Sequence, residues 1–95
     1  MAENPISAGK VFQDLGFTPA QAYNMALRAR LSVEIQRVME AHAWNQTEAA
    51  RHFGITRSRL NDILRGRLNK VTMDRLVNML ANAGVEVSIE VPEAA

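Results

Sequence analysis

Apolar residues recur at helical spacing along most of the chain and at alternate positions near its end. Leu27, Leu31, Ile35 and Val38 form one stripe of period about 3.6, with Arg28, Arg30, Glu34, Arg37 and Glu40 mostly off it. The stripe opens behind Thr18-Pro19-Ala20-Gln21, which supplies a capping hydroxyl, a proline suited to the first helical position and a glutamine able to reach back to the cap. No Gly or Pro follows until past His42, so a long amphipathic helix is predicted from there to about that residue. Asn45-Gln46-Thr47-Glu48 repeats the capping arrangement and starts a short helix with Ala49, Ala50 and Phe53 inward, ending at Gly54. Thr56 caps a third helix with Leu60, Ile63 and Leu64 inward, stopped by Gly66. Thr72 caps a fourth with Leu76, Val77 and Leu80 inward, stopped by Gly84.

Beyond Gly84 the period becomes two. Val85, Val87, Ile89 and Val91 alternate with Glu86, Ser88 and Glu90, which predicts a strand with one apolar face, ended by Pro92. At the other end, residues 1–9 have little to bury and read as a flexible arm. Lys10-Val11-Phe12 reads as a short extended piece, and Asp14 to Phe17 as a turn around Gly16. The expected organisation is an arm at 1–9, one domain over 10–91, and a tail at 92–95. Its fold class is mainly α, a small bundle of about four to five helices with a C-terminal strand.

Composition narrows the chemistry. Ninety-five residues suit one domain with one modest core, too small for a deep catalytic cleft. The hydrophobic fraction of 47% is that of a globular chain, and with only 5% aromatics the core must be aliphatic. There is no cysteine, which removes thiol chemistry and disulfides and is compatible with a reducing cytoplasm. The polar N-terminus lacks the order of a signal peptide, and no apolar run reaches the roughly 20 residues of a membrane span. A cytoplasmic protein without a membrane partner is expected. His42 and His52 lie on different helices without a carboxylate at a familiar metal spacing, so no metal or other cofactor is expected. Trp44 is expected to pack against the first turns of the helix that follows it. Met25, Met39, Met73 and Met79 are expected in the core. No nucleophile–base arrangement or phosphate loop is legible, and no enzyme reading has support.

Charge is informative only locally. The net charge is +1, but between Trp44 and Lys70 six bases stand against two acids, a surplus of +4 that leaves −3 for the rest. Five of the six bases are Arg, whose planar fork holds phosphate oxygens and guanine edges. A solvated helix face would look the same by charge alone.

The spacing within Gln46–Arg65 adds the missing constraint. Two short helices joined through Gly54 need a small residue where they cross (Ala50), a plug between them (Ile55), and apolar residues that lock the second onto the first (Leu60, Ile63). Spacing alone leaves an ordinary αα-hairpin open. The segment QTEAARHFGITRSRLNDILR nevertheless resembles the phage-repressor-like (Cro/CI, or XRE) helix-turn-helix family. VFQDLGF, NQTEAARHFGITRSRLNDILRGRL, TMDRLVNML and GVEVSIEV together resemble its HigA-like antitoxin branch. The resemblance runs from about Val11 to Val91. It implies a sequence-specific, DNA-binding transcriptional repressor.

In such a motif the second helix lies in the major groove. By position against the family motif, Arg57, Ser58 and Asp62 fall where base contacts are made, with Asn61 alongside. Arg57 suits guanine, and Asn61 suits adenine. Asp62 either accepts from cytosine or orients Arg57 or Arg59. Gln46, Thr47 and Thr56 open the two helices and are expected at phosphates, as are Arg65, Arg67 and Lys70 after the second helix, with Arg59 suited to either role.

A lone strand is unstable, so Val85, Val87, Ile89 and Val91 need a partner: Lys10–Phe12, a foreign chain, or their symmetry mates. An antiparallel ribbon within a homodimer is the expected solution, because small repressors usually read half-sites about 34–36 Å apart as twofold dimers. The branch resemblance further implies a RelE/HigB-like toxin as partner and autoregulation of a shared operon. Two other readings stay open: a stand-alone regulator without a toxin, and a protein-interaction module.

Overall fold

The computed structural model describes residues 14–92. The expected arm at 1–9, the extended piece at Lys10–Phe12 and the end of the tail lie outside the described residues. Among those described are four complete helices: α1 (Pro19–His42), α2 (Gln46–Phe53), α3 (Arg57–Leu64) and α4 (Met73–Asn82). Asp14 is helical, and the turn after it carries Gly16 at φ 96°.

Each helix starts where its capping side chain stands. Thr18 and Gln21 form a full capping box, with Thr18 Oγ1 accepting from the Gln21 N–H at 3.2 Å and Gln21 Oε1 accepting in return at 3.0 Å. Asn45 and Glu48 form the second. Thr56 and Thr72 cap α3 and α4 by accepting from the N–H groups of Arg59 and Arg75.

All four helices end in the same paired-bond geometry. A residue with positive φ and its successor donate backward to two of the last carbonyls. Gly54 donates to Arg51 O and Ile55 to Ala50 O; Gly66 donates to Ile63 O and Arg67 to Asp62 O; Gly84 donates to Ala81 O and Val85 to Leu80 O. At the end of α1 the same pair runs from Ala43 to Glu40 O and from Trp44 to Met39 O. There the left-handed position is an alanine, at φ 54°. A Cβ is disfavoured in that conformation, and no glycine marks this ending in the sequence.

The core gathers Ile35 from α1, Ala49, Ala50 and Phe53 from α2, Leu60 and Ile63 from α3, and Leu76, Met79 and Leu80 from α4. Helix α4 packs against α1 and α2, while α3 packs against α2 and α1. Two expectations are corrected. On α4 Leu76, Met79 and Leu80 are buried as expected, but Val77 is only half-buried. On α1 the buried positions are Ala22, Ala26, Ser32 and Ile35, with Leu31 and Val38 partly buried against the core and Leu27 half-buried outside it. A helix of 24 residues extends about 36 Å, so different partners cover it along its length and no single stripe describes it.

The predicted strand is not formed: among the described residues there is none, and residues 85–92 have no regular structure. The apolar face is divided. Val85 and Val87 pack against the core, while Ile89 and Val91 are 84% and 80% exposed. A ladder needs a second edge to receive its N–H and C=O groups, and none of the described segments offers one. Trp44 also departs from expectation. It packs on the last turn of α2 rather than the first turns, stacked on His52 at 4.1 Å and edge-on to Phe53 at 5.9 Å, with His42 stacked on its other face at 4.3 Å.

Candidate nucleic-acid interface

Helices α2 and α3 and the turn between them make one unit. Ala50 is 5% exposed beneath the crossing, and Phe53, Leu60 and Ile63 close the contact, with Ile55 partly buried beside them. Gly54 turns the chain at φ 73°. The turn is held from outside as well: Asn82 Nδ2, on the last residue of α4, donates to the Phe53 carbonyl at 3.0 Å.

Since Leu60 and Ile63 face inward and Leu64 packs partly buried against the core, the polar residues of α3 are left on its outer side. Arg57, Ser58 and Arg59 are exposed, and Asn61 and Asp62 are half-buried. Thr56 is exposed next to them; its Oγ1 accepts the Arg59 N–H at 3.2 Å, which leaves its hydroxyl proton free to donate. Gln46 and Thr47 occupy the first turn of α2, half-buried and exposed respectively. Arg65 is exposed just past α3.

The loop after α3 is anchored rather than loose. Leu68 and Val71 are 4% and 8% exposed, and they hold the segment while Arg67, Asn69 and Lys70 stay at the surface. Arg28 fixes it from α1, donating Nη1 to the Leu68 carbonyl at 2.9 Å. Arg28 lies off the apolar stripe of the sequence, and folding makes it a partly buried brace, with its Nε left without an acceptor.

Arg59 on α3, Arg67 and Lys70 on the loop, and Arg75 on the first turn of α4 line one open groove of about 490 Å³. Arg75 lies outside the basic window of the sequence. The available signal was the Thr72 cap, which puts Arg75 three residues into α4, near the loop's end. Asp62 also lines this groove. Its carboxylate accepts from Arg67 Nη1 at 3.0 Å, so its partner is Arg67 and neither Arg57 nor Arg59.

Two cations of α1 are paired instead. On α1, Arg30 and Arg37 both pair with Glu34, at 2.6 Å and 3.1 Å. Among the described residues, Arg57, Arg59, Arg65, Lys70 and Arg75 have no carboxylate partner. The surface of α3 and its loop therefore carries positive charge that the molecule does not neutralise, a suitable arrangement for a polyanion.

A helical pair of this geometry with an outward row of arginines defines the helix-turn-helix class and points to a DNA-binding regulator. The family model for the helix-turn-helix domain matches residues 11–92, and the chain belongs to that family. No curated protein and no solved structure gives a match. None of the described helices is long and apolar enough to cross a membrane.

Proposed function

We propose that this protein is a sequence-specific transcriptional repressor acting as a homodimer, and that it is the antitoxin of a type II toxin–antitoxin pair. The observation that carries the DNA reading is the row of cations left open on one face: Arg30 and Arg37 on α1 share Glu34, whereas Arg57, Arg59 and Arg65 on and after α3 have no carboxylate partner. Helix α3 enters the major groove with Arg57, Ser58 and Asn61 toward base edges and Asp62 beside them. Gln46, Thr47, Thr56, Arg59, Arg65, Arg67 and Lys70 contact phosphates, joined by Arg75, and fix the register without reading sequence. No catalytic step is assigned to the chain.

Dimerisation rests on residues 85–91. Val85 and Val87 belong to the protomer's own core, so the surface left for a twofold ribbon is Ile89 and Val91, each largely exposed. Truncation after Ser88 should give a folded monomer in analytical ultracentrifugation; a truncated dimer would remove the ribbon from the reading. The antitoxin role, with a RelE/HigB-like ribonuclease as partner, is supported by the sequence resemblance in the XRE branch.

The test of the DNA reading is selection of duplexes from a random pool, followed by footprinting on the chain's own upstream region. A protected, partly palindromic site lost in an Arg57→Ala, Arg59→Ala double variant supports it. Retention of no duplex at 50 mM salt rejects it. Co-expression with the product of the adjacent reading frame tests the toxin: growth arrest relieved by this chain, together with a stable complex, is the expected result.

A further inference from the structure

Asp62 is the one carboxylate among the described residues lining the groove that also holds Arg59, Arg67, Lys70 and Arg75. A negative charge on a surface built for phosphates opposes binding, so it needs a reason. The geometry supplies one. Gly66, at φ 80°, turns the chain back at the end of α3, and the Arg67 N–H bonds to the Asp62 carbonyl at 2.9 Å. The same turn brings the guanidinium of Arg67 onto the Asp62 carboxylate at 3.0 Å. Arg67 is thus held at both backbone and side chain by one residue of α3. The two side chains are 61% and 44% exposed, so the pair is solvated, and pairs of this kind are readily exchanged because they contribute little to stability.

We propose that Asp62 withholds Arg67 from phosphates and so holds down non-specific DNA binding; the inference rests on the DNA reading given above. A duplex approaching in an arbitrary register finds the Arg67 charge already neutralised. To gain that contact it must break the pair and face the freed carboxylate. The gain from the pool of competing sequences is therefore smaller by about one phosphate contact per protomer. Contacts to base edges by Arg57, Ser58 and Asn61 are not reduced in this way. Affinity for arbitrary sequence, which rests on phosphate contacts alone, is thereby held down.

The experiment measures binding of a mixed-sequence 30-base-pair duplex by fluorescence anisotropy between about 50 and 250 mM NaCl. It compares the wild-type chain with Asp62→Asn, Arg67→Gln and the double variant, each checked for an unchanged helical spectrum. Asp62→Asn should bind the mixed-sequence duplex about 3–8-fold more tightly near 100 mM salt. It should also steepen the slope of log K against log[salt] by about 0.9 per protomer. In the Arg67→Gln background the same substitution should give no such steepening, because the released charge is gone. A gain of equal size in that background would mean direct repulsion by the carboxylate and would overturn the proposal. So would an unchanged mixed-sequence affinity accompanied by altered preference at one base pair, the mark of Asp62 reading cytosine. Absence of binding by the wild-type chain to any duplex would instead bring down the DNA reading and this inference with it; binding by the wild type with no change on Asp62→Asn would bring down the inference alone.

Discussion

Replacing Gly54 by alanine tests the coupling between the turn and the end of α4. Two separate effects act there. Gly54 has φ 73°, where a Cβ costs roughly 1–2 kcal/mol. An added Cβ would also lie 2.8 Å from Asn82 Nδ2, the atom that donates to the Phe53 carbonyl. The amide must move, weakening a partly buried hydrogen bond worth about 0.5–1.5 kcal/mol. The sum is about 1.5–3.5 kcal/mol, which for a domain of this size lowers Tm by roughly 6–28 °C. Gly84→Ala is the internal control. It shares the positive φ, at 84°, but its Cβ would meet nothing within 4 Å, so only the backbone cost of about 1–2 kcal/mol remains. Urea and thermal melts followed by circular dichroism at 222 nm give both values. A double variant, Gly54→Ala with Asn82→Ala, should cost less than the sum of its parts, since removing the amide removes the collision. Equal losses for Gly54→Ala and Gly84→Ala, or strict additivity in the double variant, would refute the contact.

Other outcomes follow from particular residues. Ala43→Gly should stabilise the fold by about 0.5–1 kcal/mol, because it puts glycine at the left-handed end of α1; a lowered Tm would contradict the assigned geometry. Arg28→Met keeps much of the stem but removes the donor to the Leu68 carbonyl, and should cost about 1 kcal/mol in urea melts. Against a selected duplex, Arg57→Ala should lose about 1–3 kcal/mol and relax preference at one base pair. Lys70→Ala should weaken all sequences alike and reduce the salt slope by about 0.9. Identical behaviour of these last two in a salt titration would reject their separate roles.

Much of the candidate interface was legible before folding because it depends on neighbours in sequence. The order Ala50, Gly54, Ile55, Leu60, Ile63 specifies the crossing of two short helices, and once those residues face inward, Arg57, Ser58 and Arg59 are left outside. Arg75 escaped because its place in the groove comes from the packing of α4. The pairing of Asp62 with Arg67, five residues apart, depends on the left-handed turn at Gly66, which carries the loop back over the end of α3.

Helix starts, and the three endings marked by glycine, are local events. A cap reaches three residues ahead, and a glycine with positive φ accepts the turn at no steric cost, so Thr18, Asn45, Thr56, Thr72, Gly54, Gly66 and Gly84 could be read directly from the chain. The fold alone decided the contacts between distant segments, Arg28 with Leu68 across 40 residues and Asn82 with Phe53 across 29, and it left Val77 only half-buried. It also decided that Val85 and Val87 belong to the protomer's interior while Ile89 and Val91 do not. Alternation along a strand records which side chains share a face, but which of them meets a neighbour depends on a surface that the strand's own sequence does not contain.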